Sequence, residues 1–152
     1  MKIGTLCYIT DGEKTLMLHR VKKENDMHEG KWNGLGGKLE DGESPEECVI
    51  REVHEESGLI IKKPKLQGII TFPKFDEIDD WLVFVYTANN FEGNTIDSDE
   101  GILEWIENSK LLDLNLWEGD KIYMKWFNNK FFSAKFIYKK RKLMDYDVVF
   151  YD

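Results

Sequence analysis

Proline is scarce in this chain, at three in 152 residues, and cysteine is scarcer, at two. A pair of cysteines cannot form a disulfide framework, and Cys7 and Cys48 lack the paired spacing of a metal site. They fall in stretches that read as a strand and a helix, so both are expected as reduced packing residues. The three histidines, His19, His28 and His54, share no metal-ligand spacing and are left out of the chemistry. No apolar run approaches the roughly 20 residues of a membrane span, and the first residues do not form a secretory signal. The chain is therefore expected to be cytoplasmic and free of membrane. Positive charge is also in deficit. A net charge of −8 argues against a nucleic acid polymer as partner. It leaves a nucleotide substrate open, because a bound cation reverses the local sign.

What is present suits one folded domain over residues 1–152, with 41% hydrophobic residues and five tryptophans. There is no internal repeat or low-complexity segment. Nothing in the chain decides between a monomer and a homodimer.

The most informative stretch is Gly37 to Leu59. Its first part is a loop, in which Gly34, Gly36, Gly37 and Gly42 permit sharp turns. Ser44 then reads as a helix cap, Pro45 as the first helical position and Glu47 as the third member of a capping box. The helix is predicted over about Pro45 to Ser57, with Gly58 as its left-handed stop. Glu52, Glu55 and Glu56 stand at i, i+3 and i+4 and so share a face, whereas Val49 and Val53 form an apolar one. Like charges at that spacing oppose helix formation by about 0.2–0.5 kcal/mol per pair. A hard divalent cation, Mg²⁺ or Mn²⁺, would relieve them through oxygen ligation. The other reading is a solvated acidic face. Arg51 is placed to pair with Glu47 and Glu55 along the helix.

Gly37, Glu43, Arg51-Glu52-Val53, Glu55-Glu56 and Gly58-Leu59 stand at the spacing of the Nudix box, and the stretch resembles that family without a departure. The resemblance implies a metal-dependent hydrolase of a nucleoside diphosphate linked to another group. It implies that Glu52, Glu55 and Glu56 bind the metal, that the Gly37 carbonyl adds a ligand, and that Glu43 and Arg51 form a supporting ion pair.

Upstream, Lys2–Thr10 and Thr15–His19 read as strands joined by a turn at Asp11-Gly12. Arg20, Lys22 and Lys23 begin a polar loop whose cations either face phosphate or are simply solvated. Asn33, in the Gly-rich tract after Trp32, offers a donor and an acceptor that match a purine edge; alone it would read as a turn residue. The tract resembles its counterpart in MutT-type enzymes, which hydrolyse oxidised purine nucleoside triphosphates, and there the residue matching Asn33 contacts the base. Lys38 is a candidate phosphate contact.

Downstream, Gln67–Phe72, Trp81–Ala88 and Ile102–Ile106 are predicted strands, with a polar connection over Asn89–Ser98. Glu100 precedes the third strand. Family resemblance makes it a further metal ligand or base; on its own it reads as an exposed acidic turn. A short helical turn is expected within Lys110–Leu116 and a helix over about Asp120–Asn128. Trp117 and Asp120 read as a core residue and a helix cap, or, by resemblance, as a base-stacking ring and a base-edge reader. Mammalian members of the MutT-type subgroup carry two adjacent aspartates after this tryptophan, whereas this chain has Gly119 in place of the first. Phe131–Tyr138 and Leu143–Tyr151 close the chain as a strand pair.

Many strands with two helices predict an α+β fold, and the resemblance implies an α/β/α sandwich around a mixed sheet. The implied reaction is attack of water at phosphorus, releasing a nucleoside monophosphate and pyrophosphate from a substrate such as 8-oxo-dGTP. Glu52, Glu55 and Glu100 are all candidates for the base, and Arg51 for a support. By resemblance, Pro73 lies about where ADP-ribose-cleaving members of the family often have a proline, which keeps ADP-ribose open as a substrate. A non-catalytic nucleotide-binding module is the reading from a different class.

Overall fold

The computed structural model describes residues 1–152. Strands β1 (Lys2–Asp11) and β2 (Lys14–His19) form a hairpin, with Gly12 at φ 61° in its turn. A two-residue strand β3 (Trp32–Asn33) leads into the glycine loop, and helix α1 (Pro45–Ser57) follows. Both halves of the capping box are made. The Ser44 hydroxyl accepts from Glu47 N–H at 3.1 Å, and Glu47 accepts from Ser44 N–H at 3.0 Å. Gly58 closes the helix at φ 81°. Next come β4 (Ile60–Ile61), β5 (Lys65–Phe72), β6 (Trp81–Ala88), β7 (Phe91–Glu92) and β8 (Ile102–Glu107). Helix α2 (Glu118–Tyr123) precedes the final hairpin, β9 (Phe131–Lys139) and β10 (Lys142–Tyr151).

The main sheet is mixed, in the order β10-β9-β5-β6-β1-β2-β3, and β8 covers the other edge of β2. β1 runs parallel to β6 and β5 parallel to β9. Alternation along the strands divides the interior into two layers. Cys7, Ile9, Leu16 and Leu18 face α1 and pack with Val49 and Val53. Tyr8, Met17 and Val85 face the opposite side and pack with Trp117, Tyr123 and Phe136. Burial of Val49 and Val53 contributes about 1.5–3 kcal/mol each. The result is the expected α+β sandwich. Both cysteines are free and buried. No helix is long and apolar enough to cross a membrane.

Three local expectations change. α2 begins at Glu118 rather than Asp120, and its continuation over Met124–Trp126 is a 3-10 turn. Trp117 occupies the cap position with no side-chain hydrogen bond, so the helix start carries no local sequence signal; the Tyr138 hydroxyl instead accepts from Gly119 N–H at 2.7 Å. Asp120 is therefore a buried residue of the helix body, not its cap. Within the polar connection after β6, Phe91–Glu92 pairs with Ile60–Ile61 as a small second sheet.

Candidate active site

The glycine loop is sewn onto the start of β1. Thr5 N–H donates to the Gly37 carbonyl at 2.8 Å, and Cys7 and Leu35 exchange hydrogen bonds of 2.6 and 2.9 Å. The contact is so close that an added Cβ at Gly36 would overlap the Thr5 carbonyl. At Gly37 it would overlap the Glu52 carboxylate. Gly36 thus requires glycine because the backbone of β1 lies against it, whereas at Gly37 the obstacle is the end of the Glu52 side chain from α1. The Gly37 carbonyl, expected as a metal ligand, is engaged by Thr5.

Arg51 ties the loop to the helix. Its Nε and Nη2 hold Glu43 at 2.6 and 3.0 Å, and Nη2 also donates to the Lys38 carbonyl at 3.1 Å. Its Nη1 reaches Glu52 at 2.8 Å and Glu55 at 3.3 Å. Glu47 was expected as a partner along the helix, but its carboxylate is spent on the capping box. The guanidinium beside Glu43 holds that carboxyl down at about 2.

The three helix glutamates differ in surroundings. Glu55 is 57% exposed. Glu52 is shifted upward by burial, against the opposing pull of Arg51. Glu56 accepts from Gly36 N–H at 3.0 Å and is pushed up to about 8, chiefly by burial and then by the charges of Glu52 and Glu100. Glu100 thus lies on the same side as this carboxylate face, where Lys23 at 2.7 Å and Arg20 at 3.4 Å pair with it. Lys23, expected to face substrate, is turned to Glu100. No three acidic, thiol or imidazole groups converge as a ready-made metal site. The donor chemistry nevertheless fits a hard divalent cation. A carboxylate raised chiefly by burial, and further by two neighbouring carboxylates, is what a cation would relieve.

A cleft of about 370 Å³ opens beside this face. Gly36, Gly37, Lys38 and Glu56 line it together with Asn33, Trp117 and Asp120. The structure therefore brings together six sequence candidates: Asn33, Gly37, Lys38, Glu56, Trp117 and Asp120. Arg51, Glu52, Glu55, Glu100 and Lys23 stand outside its lining. Asp120 is pushed up to about 7, mainly by burial, beside the Tyr123 hydroxyl. Trp117 is only 3% exposed, so it is a wall of the cleft rather than an open stacking platform. Its indole N–H donates to His28 Nδ1 at 2.8 Å, and Lys31 Nζ lies 5.1 Å from its ring. Gly119 leaves no room for the aspartate of the mammalian relatives. An added Cβ there would stand 2.7 Å from the Tyr138 hydroxyl.

Sequence reasoning missed His28, Phe75 and Tyr138, which line the cleft, as does Arg20, one of the cations for which a phosphate-facing reading was left open. His28 is pushed down to about 4, first by burial, so it stays neutral and accepts from Trp117. No local signal marks that role, since its partner lies 89 residues away. Arg20 carried the one available signal, as the first of the basic residues after β2.

A NUDIX domain family model matches residues 2–127. The Uncharacterized Nudix hydrolase YvcI of Bacillus subtilis (strain 168) is 34% identical over 120 residues, 76% of this chain and 72% of that protein. The oxidized purine nucleoside triphosphate hydrolase of Danio rerio is 35% identical over 126 residues, 83% of this chain and 77% of the relative. An ADP-ribose pyrophosphatase of Methanocaldococcus jannaschii is 30% identical over 124 residues, covering 76% and 70%. Among solved structures, a mutator MutT protein from Bacillus halodurans superposes with a TM-score of 0.86 at 33% identity, covering 97% of each chain.

Proposed function

This chain belongs to the NUDIX domain family and is a hydrolase of the MutT type, and we propose that it hydrolyses oxidised purine nucleoside triphosphates such as 8-oxo-dGTP to the monophosphate and pyrophosphate. The observation that carries this reading is the single cleft in which Asn33 and Asp120 adjoin Lys38 and Glu56. The first two offer hydrogen bonds to a base edge, and Lys38 offers charge to phosphates.

Asn33 supplies a donor and an acceptor. Asp120, poised at about 7, presents an acceptor when ionised and adds a donor when protonated. An 8-oxo purine carries a donor at N7 beside an acceptor at C8, whereas the unmodified base has an acceptor at N7 and nothing at C8. Trp117 and Phe75 close the cleft around the ring with apolar surface. Lys38 binds phosphate. Arg51 positions the loop and Glu52. A divalent cation, Mg²⁺ or Mn²⁺, held by Glu52, Glu55 and Glu56 with Glu100 beside them, would neutralise phosphate charge and lower the pKa of an attacking water. Glu52, Glu55 and Glu100 are the carboxylates available to accept that water's proton, and Glu55 alone among them has no full-strength cation contact within 3 Å.

The Methanocaldococcus relative favours ADP-ribose as a second reading. Specificity constants for 8-oxo-dGTP, dGTP and ADP-ribose separate the two. The wild type is expected to prefer 8-oxo-dGTP, and Asp120→Ala to narrow the gap between it and dGTP. A wild-type preference for ADP-ribose, or an Asp120→Ala ratio equal to that of the wild type, would overturn the proposal.

A further inference from the structure

The molecule has a second cavity of about 410 Å³ that shares no lining residue with the catalytic cleft. β1 connects them: Gly4, Thr5 and Leu6 line the cleft, while Tyr8 and Thr10 line the second cavity. The two follow one another along β1, and the Tyr8 hydroxyl meets that of Tyr123, in the cleft wall, at 2.7 Å.

Its chemistry differs from the rest of the surface. The chain has 29 acidic and 21 basic residues, yet the lining holds Lys63, Lys65 and Lys125 and not one carboxylate. These lysines take no part in the ion pairs of the fold, although Lys62 and Lys130 nearby in sequence pair with Glu92 and Asp152. Two asparagines add directed donors. The Asn108 side-chain oxygen accepts from the Thr15 hydroxyl at 2.6 Å. The Asn128 side-chain oxygen accepts from Gln67 Nε2 at 3.1 Å, and its backbone N–H donates to Gln67 Oε1 at 2.9 Å. With their oxygens engaged, both amides keep their NH₂ groups unspent. Ammonium and amide donors thus share the lining of one cavity that contains no carboxylate. Leu111, Met124 and Phe127 supply an apolar wall beside them.

We propose that this cavity is a second ligand site, for a small organic phosphate, with the phosphate on Lys63, Lys65 and Lys125 and the organic body against Phe127 and Leu111. The donors match an oxyanion, and the apolar wall distinguishes an ester from the free ion. The proposal is independent of which nucleotide the cleft hydrolyses.

The test uses the full chain without metal, titrated with phenyl phosphate and with inorganic phosphate and followed by amide NMR shifts. Phenyl phosphate is expected to move Lys65, Lys125 and Asn128, and to bind more tightly than inorganic phosphate. The exposed double variant Lys65→Gln/Lys125→Gln is expected to bind it about tenfold more weakly while hydrolysing nucleotide at the wild-type rate. Shifts confined to cleft residues such as Asn33 and Lys38 overturn the proposal, as does unchanged affinity in the double variant. Equal affinity for the two phosphates overturns the assignment of the apolar wall.

Discussion

Replacing Gly36 with alanine adds one methyl group at the tightest seam of the active site. Its position overlaps the backbone carbonyl of Thr5, so loop and strand must separate by about 1 Å or more. Gly36 has no left-handed backbone to lose, which makes the effect purely steric. Overpacking of this kind costs about 1–3 kcal/mol. The separation also breaks or stretches the 2.6 and 2.9 Å bonds between Cys7 and Leu35 and the 3.0 Å bond from Gly36 N–H to Glu56. Each contributes about 1 kcal/mol. Reduced freedom of the unfolded chain returns about 0.4–1 kcal/mol. The expected net loss is about 3–5 kcal/mol, a large share of the stability of about 5–15 kcal/mol usual for a domain. Urea unfolding measures it as a drop in midpoint at constant slope. Gly42→Ala is the control, because Gly42 sits at φ 80° with open space around it, and its cost is about 1–2 kcal/mol of backbone strain. If Gly36→Ala costs no more than Gly42→Ala, the loop is not seated on β1 as described.

Four further outcomes are expected. Arg51→Ala should lower melting temperature and kcat together, because one guanidinium holds Glu43, Glu52 and the Lys38 carbonyl; kcat lost at an unchanged melting temperature would instead mark Arg51 as directly catalytic. Glu43 is depressed to about 2 from 4.5, so the stability from this pair should be present above pH 4.5 and disappear as pH falls towards 2. Asp120 is raised to about 7 from 3.8, so its neutral form supports the fold below pH 3.8 and that support is lost as pH rises through 7; Asp120→Asn should flatten this part of the stability profile, and an unchanged slope would refute the shift. Glu56→Gln should raise the Mg²⁺ concentration needed for half-maximal rate by about tenfold or more, and wild-type turnover at limiting Mg²⁺ would remove Glu56 from the metal site.

The sequence told most where the physics is local. Ser44, Glu47 and Gly58 define α1 through contacts within a few residues, and the spacing of Val49 and Val53 identifies its buried face. Distant partners were not readable in the same way. Arg51 chose Glu43, eight residues back, over Glu47, because the capping box had already taken the latter. His28 entered the site through Trp117 and not through any motif of its own. The start of α2 lacks a capping side chain, and β3, β4 and β7 have two residues each, too few for a periodic signal. Gly119 read as a missing carboxylate, while the structure gives its reason: Tyr138, from the far hairpin, fills that space.

The parallel pairing of β1 with β6 also constrains how the protein is made. Lys2 pairs with Trp81 and Ile9 with Ala88, so the strand that seats the glycine loop finds its neighbour only after roughly eighty further residues, a high-contact-order closure that slows folding. A nascent chain that ends just after the Gly37–Leu59 stretch contains both partners of the seam between the glycine loop and β1, yet the edge of β1 that β6 covers is still unpaired. A protein truncated shortly after α1 carries every residue of the motif, yet would be an aggregation-prone fragment with an open strand edge.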